Sequence, residues 1–212
     1  MSLEVAGVRI PDSAIASAAT EFVRDCESSL LFHHSLRVYA WATLRGRYRD
    51  WAFDPELLYL GAMFHDVGLT EKHRSATNRF EIDSANTARA FLRDYGMPPE
   101  SVDLVWDAIA LHTTPEIPWH KQPEVALVTA GVELDVMGLG FDEIPNDIKE
   151  LVLTAHPRVH FKSRIIEAFA QGFRHKPDST FGTVNADVLV RTQSGFKPQS
   201  FCDLIAASRF SD

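Results

Sequence analysis

At 212 residues, 45% hydrophobic and 24% charged, the chain has enough apolar material for one sizeable core and too much for a disordered protein. Its formal net charge of −8, with no Lys/Arg-rich stretch, argues against a phosphate-tracking surface and hence against nucleic acid as a partner. Two distant cysteines, Cys26 and Cys202, make neither a disulfide framework nor a thiolate metal site, and no apolar run approaches the length of a membrane span, so a cytoplasmic location is expected.

Apolar residues recur mostly at helical spacing, which predicts an all-α, single-domain fold over residues 1–212. The metal-binding core should lie near residues 28–140, with C-terminal helices and a tail over 141–212. A first helix is predicted from Pro11 or Asp12 to about Cys26, and a second from near Ser28 to Arg47. Asp54 and Pro55 supply a cap and a first-turn proline for a third, ending near Asp66, where Gly68 can provide a stop. A polar loop, Glu71 to Arg79, leads to a fourth helix from Asp83 or Ser84 to Gly96. Pro98 and Pro99 open a fifth that ends near His112. Further helices are predicted over Pro123 to Met137, Asn146 to Ala155 and Phe161 to Phe173. From His175 onward Pro, Gly, Ser and Thr are frequent, which predicts an ordered loop with a short helix near Phe201 to Ala207.

Nine His and sixteen Asp make one His-Asp dipeptide unremarkable, so His65-Asp66 gains meaning only from what other helices point at it. Residues three and four apart share a helical face. His34 shares its face with Leu30, Val38 and Trp41, whereas His33 aligns with Ser29, Arg37 and Ala40 on the outward side. His65 follows Leu58, Gly61 and Ala62, and Asp66 follows Tyr59, Ala62 and Met63. His112 continues Val105, Ala108 and Ile109, and Asp135 shares its face with Val128, Gly131 and Val132. A single inward histidine is most often a core residue bonded to a carbonyl, and Asp135 alone has an ordinary reading as a capping or ion-paired group. Together these positions would bury several unpaired ionisable groups, at several kcal/mol each, unless a cation compensates them. Two imidazoles and two carboxylates suit one divalent metal, with Zn first and Fe, Mn or Co compatible, held by His34, His65, Asp66 and Asp135. His33, His156, His160 and His175 are read as ordinary.

The segments "HHSLRV" at His34, "FHDVG" at His65 and Asp66, and "GVELDVMG" at Asp135 resemble the H…HD…D signature of the HD-domain metal-dependent hydrolase superfamily, whose fold is an all-α bundle around the metal. Spacings of 31 and then 69 residues suit that signature. Within the superfamily, "HDVGLTEKHRSATNRFE", "AIALHT", "HPRVHFKSRIIEAFA" and "RHKPDSTFG" are similar to the cyanamide hydratase branch. The stretch Ile82 to Asn86 departs from the glycine-containing helix opening of that branch.

The resemblance implies an enzyme that hydrates a C≡N group, converting cyanamide to urea. Binuclear relatives complete a second metal site with extra histidines after the His-Asp pair; Glu81 and Asp83 stand there instead, which favours a single metal. The chemistry expected of the residues is attack by metal-activated water on a compact polarised carbon. Asp66, Glu81 and His112 are the candidate catalytic groups for moving protons, and Thr70, Lys72 and Asn78 the candidate substrate contacts. Neither composition nor spacing shows the substrate. An HD phosphohydrolase acting on a nucleotide monophosphate is an alternative, with Arg37, Lys72, Arg74 and Arg79 available to meet a phosphate. A metal-stabilised regulatory module without turnover is another. The partner expected is a small-molecule substrate, with no nucleic acid or membrane; a homodimer is compatible with the sequence.

Overall fold

The computed structural model describes residues 4–210. Side-chain caps start the first three helices by satisfying donors that an opening helical turn leaves free. Ser13 accepts from Ala16 N in α1 (Ala14–Cys26), Ser28 from Leu31 N in α2 (Ser29–Tyr48), and Asp54 from the N–H groups of Glu56 and Leu57 in α3 (Pro55–Phe64). The chain continues through α4 (Phe80–Asp94), α5 (Pro99–Leu111), α6 (Pro123–Met137), α7 (Asn146–Ala155) and α8 (Phe161–Phe173). Helices α9 (Asn185–Thr192) and α10 (Phe201–Ala206) complete an all-α fold, preceded by a two-stranded antiparallel hairpin of β1 (Glu4–Val5) and β2 (Val8–Arg9). Among the described residues no helix is long and apolar enough to cross a membrane.

The main core joins α1 through α6. Helices α2 and α6 touch backbone to side: a Cβ placed on Gly131 of α6 would stand 2.4 Å from the carbonyl oxygen of Val38 in α2. That approach brings the faces of His34 and Asp135 together. Gly68 has a comparable role rather than the helix-stopping one expected of it. It lies in a short 3-10 turn, Val67–Leu69, where a Cβ would meet Phe80 O at 2.2 Å, and its N–H donates to Ser84 Oγ at 2.8 Å. The turn after the His-Asp pair is thereby clamped to the start of α4.

Several elements differ from expectation. The hairpin strands, two residues each, are too short for alternation to register. Helix α4 begins at Phe80, because that ring is buried against Phe173 of α8. Helix α9 forms where composition predicted loop. Leu189 is fully buried in a second apolar cluster with Leu31, Leu69, Phe80, Phe161 and Ile165, and such packing overrides a weak local preference. Helix α2 is buried nearly all round, so Arg37 and Ala40, expected to face outward, lie inside.

Candidate metal centre

His34 projects from the second turn of α2. His65 and Asp66 occupy the point where α3 stops: His65 keeps helical angles as the capping residue, while Asp66, at φ −107 and ψ 0, has left the helix and opens the 3-10 turn. That change of direction lets two neighbouring side chains face one point, which a continuous helix forbids. His112 caps the C-terminal end of α5.

The Nε2 atoms of all three histidines converge on the Asp66 carboxylate. Oδ2 lies 3.4 Å from His65 Nε2 and 3.7 Å from His34 Nε2, and Oδ1 lies 3.8 Å from His112 Nε2. None of these approaches is a hydrogen bond. His34, His65 and Asp66 each place one ligand atom within 4.8 Å of the others. The rings are held from behind. His65 Nδ1 donates to Ala62 O at 2.7 Å and His112 Nδ1 to Ile109 O at 2.6 Å; since a carbonyl only accepts, both proton positions are set and the Nε2 lone pairs face inward.

His34 Nε2, His65 Nε2 and both Asp66 oxygens are buried without a hydrogen-bond partner. Exposure of Asp66 is 1%, and leaving a carboxylate there uncompensated costs several kcal/mol. Burial pushes the Asp66 carboxyl above its usual range, offset in part by His34 and His112. Burial, with His112 and His34 nearby, drives His65 well below the ordinary imidazole value, so it stands as a neutral lone-pair donor. Orphaned nitrogen lone pairs around an orphaned carboxylate are what a divalent cation satisfies, and the residues fit such an ion.

Asp135, expected among the ligands, sits one layer out. Its Oδ2 accepts from His34 Nδ1 at 2.7 Å and Arg37 Nη2 at 2.9 Å; its Oδ1 accepts from Arg37 Nε at 2.8 Å and Trp41 Nε1 at 2.9 Å. The cation that compensates this buried carboxylate is Arg37, so its oxygens are engaged away from Asp66. Burial raises the Asp135 carboxyl, but His34 and Arg37 overcome that and hold it far below the carboxylate range. Its role in this geometry is to fix the His34 ring through Nδ1, as outer partners of ligand histidines do.

Glu81, in the first turn of α4, is fully buried and accepts from Arg79 Nη2 at 3.0 Å, from Asn185 Nδ2 at 2.9 Å and from the Thr113 hydroxyl. Burial raises its carboxyl, yet Arg79, His112 and Thr113 bring the net value below the usual range. It stays charged beside His112, committed to donors of its own, and supports that ring rather than offering a free base.

The three loop residues expected to touch substrate have other occupations. Thr70 Oγ1 donates to Val67 O at 2.7 Å, closing the 3-10 turn, and Asn78 Nδ2 donates to Asp83 Oδ1 at 3.3 Å. Lys72 is exposed. The structure does not bring them to the histidines. What roofs the site is apolar: Phe161 lies 5.3 Å from the His34 ring and Phe80 5.6 Å from the His112 ring.

Sequence reasoning missed Arg37, Glu27 and Asn185. Arg37 was assigned to the wrong face of α2. Glu27 is buried after α1, with Oε2 accepting from Ser35 Oγ at 3.4 Å and Oε1 unpartnered; burial, then the charge of Asp66, pushes its carboxyl well up. The only available signal was its adjacency to the Ser28 cap. Asn185 lies on the helix that composition concealed.

A family model for the HD domain matches residues 31–136. Cyanamide hydratase DDI2 and cyanamide hydratase DDI3 of Saccharomyces cerevisiae are each 27% identical to this chain over 157 residues, covering 72% of it and 70% of either relative.

Proposed function

The chain belongs to the HD domain family and is a metal-dependent hydrolase or hydratase, and on that premise we propose that it hydrates the C≡N group of a small neutral molecule, cyanamide being the first candidate. The observation that carries the proposal is the set of four buried, partnerless ligand atoms on His34, His65 and Asp66 beneath an apolar roof. Two imidazoles and one carboxylate are a common catalytic zinc set, so zinc is the metal proposed, with His34, His65 and Asp66 as the holders. A divalent ion there supplies Lewis acidity that makes water nucleophilic at neutral pH.

The chain's own residues do the remainder. Hydration adds the oxygen of water to the nitrile carbon and returns protons to its nitrogen, so a proton must be taken and given back. His112 has one nitrogen for that, Nε2, because Nδ1 is committed to Ile109 O. The ionised Glu81 stabilises the imidazolium that forms in between. Asp66 Oδ1, facing His112, holds an approaching proton on the same side. Phe80 and Phe161 exclude bulk water, which strengthens these interactions.

A phosphate monoester finds little to meet it. Arg37 is bound to Asp135, Arg79 to Glu81, and Arg74 donates to Gln171 O at 3.0 Å. Assay of the metal-loaded chain against cyanamide, acetonitrile and a nucleotide monophosphate tests the proposal. Urea formation from cyanamide without monophosphate turnover is expected; the reverse pattern would overturn it.

A further inference from the structure

A cavity of 270 Å³ opens beside α6, with Asp135 in its wall while His34, to which Asp135 is bonded, is not. Three cations line it, Lys149, Arg158 and Lys162, against apolar surface from Trp41, Phe141 and Leu153. The one carboxylate in the wall, Asp135, is matched by Arg37, His34 and Arg158, which leaves none for the two lysines. Lys149 is 7% exposed; its ammonium donates to Phe141 O at 2.9 Å and lies 3.2 Å from the centre of that ring. An ammonium has three donors, so two remain unfilled. Among the described residues no carboxylate comes within 4.0 Å of Lys149 or Lys162. Arg158 donates to the backbone oxygen of Asp135, and its Nε is buried without a hydrogen bond. Arg158 Nε also stands 3.5 Å from Asp135 Oδ1, and Lys162 is exposed, so the unmet electrostatic demand is that of Lys149, a buried ammonium with no carboxylate partner.

We propose that this cavity binds a small organic anion, its carboxylate between Lys149 and Lys162 and its apolar or aromatic body against Trp41, Phe141 and Leu153. The apolar walls favour an organic acid over an inorganic ion, and the volume suits a ligand of about one ring, below the usual drug-sized pocket.

The test is calorimetric titration of the full chain at low salt with benzoate, its neutral isostere benzamide, and inorganic phosphate. Expected are saturable 1:1 binding of benzoate that weakens with ionic strength, and no saturable binding of benzamide. Lys162→Gln, an exposed change that keeps the fold, and Lys149→Met should each weaken benzoate at least tenfold. Binding should persist in Asp66→Asn, which separates it from carboxylate ligation at the metal centre. The proposal fails if benzoate does not bind, if benzamide or phosphate binds as tightly, if both lysine variants bind benzoate unchanged, or if Asp66→Asn abolishes binding.

Discussion

Asp66 and Asp135 are both buried aspartates on apolar helical faces, and their surroundings give them opposite fates. Asp66 has no donor on either oxygen, whereas Asp135 has four. Replacing Asp135 with Asn should therefore weaken metal binding about 10- to 100-fold through the loosened His34 ring while leaving one site per chain, read by competition with a chromophoric chelator. Replacing it with Ala strands the Arg37 guanidinium in the interior, at about 3–5 kcal/mol in a urea unfolding experiment. The sequence showed both aspartates equally well. It could not tell them apart, because the group that separates them, Arg37, lies 98 residues from Asp135 and pairs with it only after α2 and α6 dock. His34, His65 and His112 were legible because each continues an apolar stripe, whereas Glu27 falls between helices, where no periodicity marks it.

At the level of elements, the site depends on close approaches that glycine permits. Gly131→Ala would press a methyl group into Val38 O and should cost about 1–3 kcal/mol as overpacking, measured by the unfolding midpoint, with some loss of metal affinity because α2 carries His34. The C-terminal elements are tied to the loop after the His-Asp pair by one buried ion pair, Lys176 Nζ to Asp83 Oδ2 at 2.7 Å; Asp83 also accepts from Ser75 N at 2.8 Å. Lys176→Met should lower stability by about 3–5 kcal/mol and speed proteolytic cleavage between residues 70 and 79, seen by mass spectrometry of the fragments. Helices α1 to α8 were readable from caps, prolines and period. Helix α9 was not, since its few apolar residues count only when Leu189 meets the cluster made by Phe80 and α8.

For the whole molecule, stability should depend on metal and on pH. A ligand present at 100 times its Kd stabilises the folded state by about 2.7 kcal/mol, so stripping the ion with a chelator should lower Tm, and added zinc should restore it. His156, buried after α7, has its imidazole pushed down to about 4 by burial, then by His33 and Arg37. Its folded value lies below its unfolded one, near 6.5, so between the two the unfolded chain binds the extra proton. Stability is thus complete above about pH 6.5 and falls as pH drops toward 4, and in His156→Phe that part of the slope should disappear from urea midpoints measured across the window.

The central claim is that His34, His65 and Asp66 together hold one catalytic divalent ion. Metal content per chain, measured by inductively coupled plasma mass spectrometry on the purified wild type and on Asp66→Asn, tests it most directly. One ion per wild-type chain and nearly none in the variant is the expected result. Full metal content in Asp66→Asn, or no bound divalent metal in the wild type, would contradict it.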